Sequence, residues 1–438
     1  MYPHNGIIVV QFFGNGIFEH HKDFVCFLTE IMTEGEIRSL PGMTRRAPGP
    51  ADSVIPLLSL NDITSLFHRK IILIATASIC DGNIFNNGLY QNCFILYKLA
   101  EAIGWLPIFV VNKRPNSLSE IPEILHPCRI TEVEHILKQP LPVSMYLEIG
   151  MSMSPELRKY MKMLGARSTK LYLGNILNID IETPMCFPGM FFNHHVVGEQ
   201  DEIWVSPHYA QHSQYATIIN KLEPSPKSQR IAPYIWDPCI LTDDGRRQMA
   251  WRPRQENERA CILIMEPNIS FQKSCIVPLL LVEEYARNHP EKEFDVHILN
   301  GDRLIVTDYF KTVIEPSLTL VKQGRIKFSG RHDIITIMNN FPHATAICHH
   351  VNNEFNYMAL EFIWAGFPLV HNSDVWKEFA YFYPENDTVA GGVVLDNALW
   401  KHHEYKEIYT SHAKALAWRH SPYNPDVQRE WKKLLEDT

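Results

Sequence analysis

The chain has 438 residues, 45% of them hydrophobic, and a formal net charge of −8. That length suits two or three domains rather than one core, the composition excludes a disordered chain, and the acidic balance leaves no clear nucleic-acid footprint. Its nine cysteines include no Cys-x-x-Cys pair, which excludes a zinc knuckle or thiol-redox motif and fits reduced thiols in a cytosol-like compartment.

The N-terminus, MYPHNGIIVVQFFGNG, lacks the basic start and small-residue cleavage site of a signal peptide. The longest apolar runs, such as IILIATASIC (71–80), are far short of the roughly 18 residues that span a bilayer. The expectation is a soluble cytoplasmic protein, with peripheral membrane contact left open. Residues 1–69 read as an N-terminal extension with one strand, GIIVVQFF, and an exposed loop, SLPGMTRRAPGPADS.

From residue 70 the pattern is regular. RKIILIATASI reads as a buried strand, LYQNCFILYKLAEAIGW (89–105) as an amphipathic helix and LPIFVVN (106–112) as a second strand, which together make a βαβ unit. Strands at SMYLEIG (144–150), TKLYLGN (169–175), DEIWVSP (201–207) and QRIAPYIWDP (229–238) continue it, with helices near 155–164 and up to about 221. This predicts a Rossmann-like domain over 70–235, then a charged linker over 236–258. A second Rossmann-like domain spans 259–400, with strands at 260–267, 294–300, 325–330, 344–350 and 367–373 and helices at 275–290, 308–324, 333–341 and from about Phe355. Residues 401–438 read as C-terminal helices packing back on the first lobe. The fold class is α/β, with two doubly wound lobes facing a cleft.

Parallel sheets take ligands at the carboxyl ends of their strands. The polar residues there are Asp81, Asn83, Asn86, Asn87, Asn112, Glu148, Asn175, Asn268, Asn300, Arg331, the run His349 to Glu354, and His371, Asn372 and Ser373. EPNISFQKS (266–274) ends a strand and precedes a helix, so free N–H groups and Lys273 favour an anion; the Gly-rich P-loop framework is absent. In NNEFNYMALEFIWAGFPLVHNSD (352–374), a helix start follows Asn353, Glu354 and Asn356 and could hold a diphosphate. Glu361 lies eight residues past Asn353 on about the same face, where a carboxylate could accept both ribose hydroxyls. Adjacent histidines at 20–21, 194–195, 349–350 and 402–403 point to different faces and do not chelate together, and His208 and His212 lack the Glu of a zinc-protease helix. No metal site is expected, and no Gly-x-Ser-x-Gly elbow is present.

Two stretches resemble the sugar-nucleotide glycosyltransferases of the GT-B type. NEFNYMALE matches the window of their Glu-x7-Glu motif, with Asn353 at the first Glu position and Glu361 at the second, and AGFPLV resembles their turn into the next strand. More specifically, the chain from about residue 70 to its end resembles a family of GT-B-like proteins described mainly as a domain of unknown function. The match runs through NNGLYQN, LEIG, DEIWVSP, PYIWDP, EPNISFQKSCIVPLL, NYMALEF, GFPLVHNS and YFYPENDTVAGG. The resemblance implies a metal-independent glycosyltransferase with a nucleotide-sugar as co-substrate and no other cofactor. The second lobe would bind the donor through Glu361, Asn353, Glu354, Asn356, Lys273, Asn268, Arg331, His371, Asn372 and Ser373. The first would bind a glycan or other hydroxyl acceptor, with Asp81, Glu148 and His194 as candidate bases. Rival readings are a non-catalytic carbohydrate-binding or assembly protein of this fold and a GT-B-type sugar-nucleotide epimerase.

Overall fold

The computed structural model describes residues 3–4, 7–8, 69–76, 84–86, 88–113, 115, 120–138, 141–150, 152–190, 195, 198–242 and 250–437. The chain divides into two compact units: Trp236–Ser421, and the chain up to Ile235 joined by the segment from Pro422. Of the N-terminal extension, Pro3–His4 pairs antiparallel with Ile7–Ile8; the loop expected at 39–53 lies outside the described residues.

The main sheet of the first unit holds seven strands among the described residues, β1 (Ile71–Ala75), β2 (Leu106–Val111), β3 (Ile130–Glu132), β4 (Val143–Ile149), β5 (Arg167–Tyr172), β6 (Glu202–Val205) and β7 (Gln229–Ile231). All pair in parallel, in the order β3-β2-β1-β4-β5-β6-β7. β1 is apolar and fully buried along its whole length, because helices of a doubly wound sheet cover both faces. The helices are α1 (Gly88–Ala102), α2 (Val133–Lys138), α3 (Pro155–Met163), α4 (Ile176–Cys186) and α5 (Ser213–Ile219). α3 starts where Ser154 Oγ accepts the Leu157 N–H at 3.3 Å and Pro155 supplies a preset φ. α4 has no counterpart among the expected elements: Ile181 and Met185 are exposed, so its apolar residues form no single buried stripe.

The second unit holds β8 (Ala260–Ile264), β9 (Phe294–Leu299), β10 (Ile326–Ser329), β11 (Thr345–Cys348), β12 (Leu369–His371) and β13 (Tyr381–Phe382). They too are parallel, in the order β10-β9-β8-β11-β12-β13. Its helices are α6 (Ile276–Asn288), α7 (Ile334–Asn340), α8 (Tyr357–Trp364), α9 (Thr388–Trp400) and α10 (Lys406–His420). The helix expected over 308–324 is broken into a π-turn at Phe310–Ile314, a 3₁₀ turn at Glu315–Ser317 and a short helix at Thr319–Lys322. Pro316 lacks the N–H that a continuous helix needs there. α9 lies close to α6 at Gly391, where a Cβ would stand 2.3 Å from Leu281 Cδ1.

Two boundaries differ from expectation. Residues 250–258 are no free linker: the Trp251 N–H donates to the Ala365 carbonyl at 2.9 Å, and its buried indole stands edge-on to His402 at 4.6 Å. The tail divides. α11 (Pro425–Glu436) joins the first unit through Trp431, which is buried, meets Trp204 at 5.9 Å and donates from Nε1 to the Pro233 carbonyl. α10 stays on the second unit, where Tyr409 Oη donates to the Phe367 carbonyl at 2.7 Å and accepts the Leu369 N–H at 3.2 Å. Among the described residues no helix is long and apolar enough to cross a membrane.

Both sheets reverse their strand order between the first and fourth strands, β1/β4 and β8/β11. Such switch points are where open parallel sheets take ligands.

Candidate functional site

In the second unit the loops after β8 and β11, residues 265–275 and 349–356, lie side by side at the switch point. They are tied together. The Val351 N–H donates to the Gln272 carbonyl at 3.0 Å, and the Gln272 amide donates to the Asn352 carbonyl at 3.1 Å. Asn268, Asn300 and Asn352 take left-handed φ of 54°, 59° and 51°, which asparagine tolerates better than most side chains. Asn268 Nδ2 donates to the carbonyls of Glu266 (2.9 Å) and Asn300 (3.2 Å), and its Oδ1 accepts the Cys275 N–H (2.9 Å). Its side chain therefore folds the loop that carries Lys273 rather than facing a ligand. Glu266, fully buried behind this loop, accepts the His349 N–H at 3.0 Å. Burial pushes its carboxyl up to about 7, against the pull of half-buried Lys273.

α8 starts at Tyr357, two residues later than expected, because Asn356 is its cap: Asn356 Oδ1 accepts the Met358 N–H at 3.2 Å. Glu361 stands one turn into the helix on its buried face, 3% exposed. Asn353 is buried in the preceding loop, and its N–H donates to His350 Nδ1 at 3.4 Å. Glu354 is half-buried; burial, with Asp374 nearby, raises its carboxyl. The triplet after β12 holds these loops in place. His371 Nε2–H donates to the Phe379 carbonyl at 2.8 Å and its Nδ1 accepts the Ser373 N–H at 3.1 Å, so a buried ring pushed down to about 4 has no nitrogen left for a ligand. Ser373 Oγ donates to the Glu354 carbonyl at 3.3 Å, and Asn372 brackets the backbone of His350. Arg331 follows Gly330, whose carbonyl accepts the Asn300 N–H at 3.3 Å. It is exposed beyond the edge strand β10, separated from β8 by β9.

In the first unit Glu148 ends β4 and is fully buried. Its Oε1 accepts from Tyr146 Oη (2.8 Å), the Met153 N–H (3.2 Å) and Arg158 Nη1 (3.1 Å), and Lys170 Nζ lies 3.7 Å from Oε2. Arg158 also donates to Glu199 at 2.6 Å. Burial pushes the fully buried Lys170 down to about 8, against the pull of Glu148. Oε1 so engaged anchors the loop after β4, while Oε2 is buried without a hydrogen-bond partner, beside the Lys170 charge. Asp81 and His194 lie outside the described residues. The neighbouring His195 is described, and both its nitrogens are engaged. Nε2–H donates to Asp180 at 2.9 Å, and Nδ1 accepts from Tyr172 Oη at 3.2 Å. Tyr215 Oη donates to the same Asp180 at 2.6 Å.

A family model described as "Protein of unknown function (DUF2827)" matches residues 74–435. The chain belongs to that family. No curated protein matches it. Among solved structures it is similar to the Escherichia coli trehalose-6-phosphate enzyme bound with UDP-2-fluoro glucose, with TM-score 0.53 and 11% identity, over 84% of this chain and 99% of that one. The α,α-trehalose-6-phosphate synthase of Burkholderia multivorans gives 0.51 and 9%, over 84% and 96%. An α-glucosyltransferase in complex with UDP and a 13-mer DNA gives 0.52 and 11%, over 84% and 99%. The fold of this DUF2827 protein is therefore GT-B, as the doubled strand order already implied.

Three buried charged residues, one in the second unit and two in the first, were not among the expected site residues. Glu266 was visible as an acid closing the apolar run ACILIM, a placement unusual enough to flag a buried charge. Lys170 and Arg158 carried no such signal, because their partner Glu148 is brought to them by the sheet. Among the described residues no three His, Cys, Asp or Glu side chains converge as metal ligands.

Proposed function

We propose that the protein is a glycosyltransferase that moves a sugar from a nucleotide-sugar to a hydroxyl of a glycan or other acceptor. The observation that carries this reading is the second unit's switch point, where two cross-tied loops gather Lys273, the N-terminus of α8 and the buried Glu361. Two of the similar structures hold UDP or a fluorinated UDP-glucose, which supports a donor of this class. The positive end of α8 and the Lys273 ammonium face the charge that develops on a leaving diphosphate, and both are fixed before the bond breaks. Glu361 accepts the ribose hydroxyls.

Glu361→Ala should weaken nucleotide binding about ten- to a hundredfold, the loss of roughly 1.5–3 kcal/mol of hydrogen bonding to a charged group. Titration calorimetry checks this, and thermal melting confirms that the variant is folded; undiminished affinity rules out the role.

The reaction itself is tested by incubating the whole chain with a panel of nucleotide-sugars and hydroxyl acceptors and scoring acceptor-dependent release of nucleoside diphosphate. With leaving-group charge met by Lys273 and α8, turnover should survive an excess of EDTA. Loss that Mg²⁺ or Mn²⁺ restores would make the site metal-dependent. Binding without release for every acceptor would leave a carbohydrate-binding protein.

A further inference from the structure

His350 lies two residues past the end of β11, at the switch point, and is 6% exposed. One side chain fixes its backbone from both sides. The His350 N–H donates to Asn372 Oδ1 at 3.0 Å, and Asn372 Nδ2 donates to the His350 carbonyl at 2.8 Å. Asn372 follows β12, so the end of the neighbouring strand sets where His350 stands. The ring is oriented as well. Its Nδ1 accepts the Asn353 N–H at 3.4 Å, which leaves the proton on Nε2. That Nε2–H is buried and has no acceptor among the described residues.

A buried donor without an acceptor is destabilising, and the great majority of such groups in folded proteins are paired. Here an unpaired one is held rigidly at the edge of the sheet where this architecture takes ligands. The loop it belongs to is tied to the Lys273 loop through Val351, Gln272 and Asn352. Burial pushes the imidazole down to about 3, and His349, His371 and Lys273 act in the same direction. The group is thus a neutral donor throughout the physiological range.

We propose that the His350 Nε2–H donates a hydrogen bond to a diphosphate oxygen of the bound nucleotide-sugar, beside the charge of Lys273. This rests on the donor-site reading given above. With Nδ1 engaged, the ring can only donate, and phosphate oxygens only accept. The two groups divide the work: Lys273 supplies charge, which acts at a distance and in any direction, and His350 supplies a directed bond that adds no charge and does not titrate.

The test titrates the whole chain with UDP, GDP and ADP, and with uridine, guanosine and adenosine, for the wild type, His350→Leu, His350→Gln and Lys273→Met. Leu fills most of the ring's volume without a donor, and Gln returns an N–H close to the Nε2 position. For each nucleoside diphosphate that binds the wild type, His350→Leu should lose about tenfold in affinity, or about 1.4 kcal/mol. His350→Gln should stay within about threefold, nucleoside affinity should hold in both variants, and thermal melting should show both folded. Wild type and His350→Gln should share one pH profile; a wild-type gain as pH falls through about 6.5 would reveal a cationic ring and overturn the proposal. A folded His350→Leu with wild-type affinity, while Lys273→Met loses diphosphate binding, overturns the proposal and leaves the donor site standing. If no nucleoside diphosphate binds the wild type, the donor-site reading falls and the proposal with it.

Discussion

Replacing Glu148 by Ala is expected to destabilise the first unit by about 3–5 kcal/mol, the usual result of removing one partner from a buried ion pair. The carboxylate is the hub of a balanced group: Glu148 and Glu199 carry two negative charges, Arg158 and Lys170 two positive ones. Without Glu148, Lys170 remains buried with, among the described residues, only Ser152 Oγ, 3.4 Å away, as a hydrogen-bonding neighbour, and Tyr146 and the Met153 N–H lose their acceptor. Lys170, already pushed down to about 8, then releases its proton, which trims the loss without restoring the hydrogen bonds. Denaturant unfolding of the whole chain measures the change, and hydrogen exchange at β4 and β5 assigns it to the first unit. A Glu148→Ala protein of wild-type stability that has lost turnover would return Glu148 to the role of a base.

The same residue shows what a linear reading can and cannot supply. Strand ends were legible because a doubly wound sheet writes them as apolar runs closed by polar residues, and the two Rossmann-like lobes followed from that alternation, whereas the GT-B type rested on the resemblance of NEFNYMALE and AGFPLV. The described polar residues at those ends are uneven in meaning. Asn268, Asn356, His371 and Ser373 hold the loops through their own hydrogen bonds, and only their partners show it. Those partners are fixed by sheet order: Asn372 reaches His350 because β12 lies beside β11, 22 residues away in sequence. Short edge elements were missed for a different reason. β13 has two residues and α4 buries little, so neither writes a periodic pattern.

Lys273→Met is expected to lower turnover by about 10²–10³-fold, the range found when one preorganised donor to a developing negative charge is removed. Affinity for nucleoside diphosphates should fall with it, while nucleoside affinity holds, since a point charge recognises phosphate and not the base. The variant should fold. Lys273 is half-buried and its charge acts on Glu266, a fully buried carboxyl already pushed up to about 7. Removing the ammonium takes away the interaction that opposes this rise, so Glu266 takes up a proton and stays neutral instead of standing as an unpaired buried charge. Methionine keeps most of the side-chain volume, so the loop from Glu266 to Cys275 retains the Asn268 hydrogen bonds that shape it. Calorimetry with matched nucleoside and nucleoside diphosphate, read beside turnover, separates the outcomes. Equal loss of both ligands would make Lys273 a structural residue of the loop, and turnover unchanged within about threefold would remove it from the site altogether.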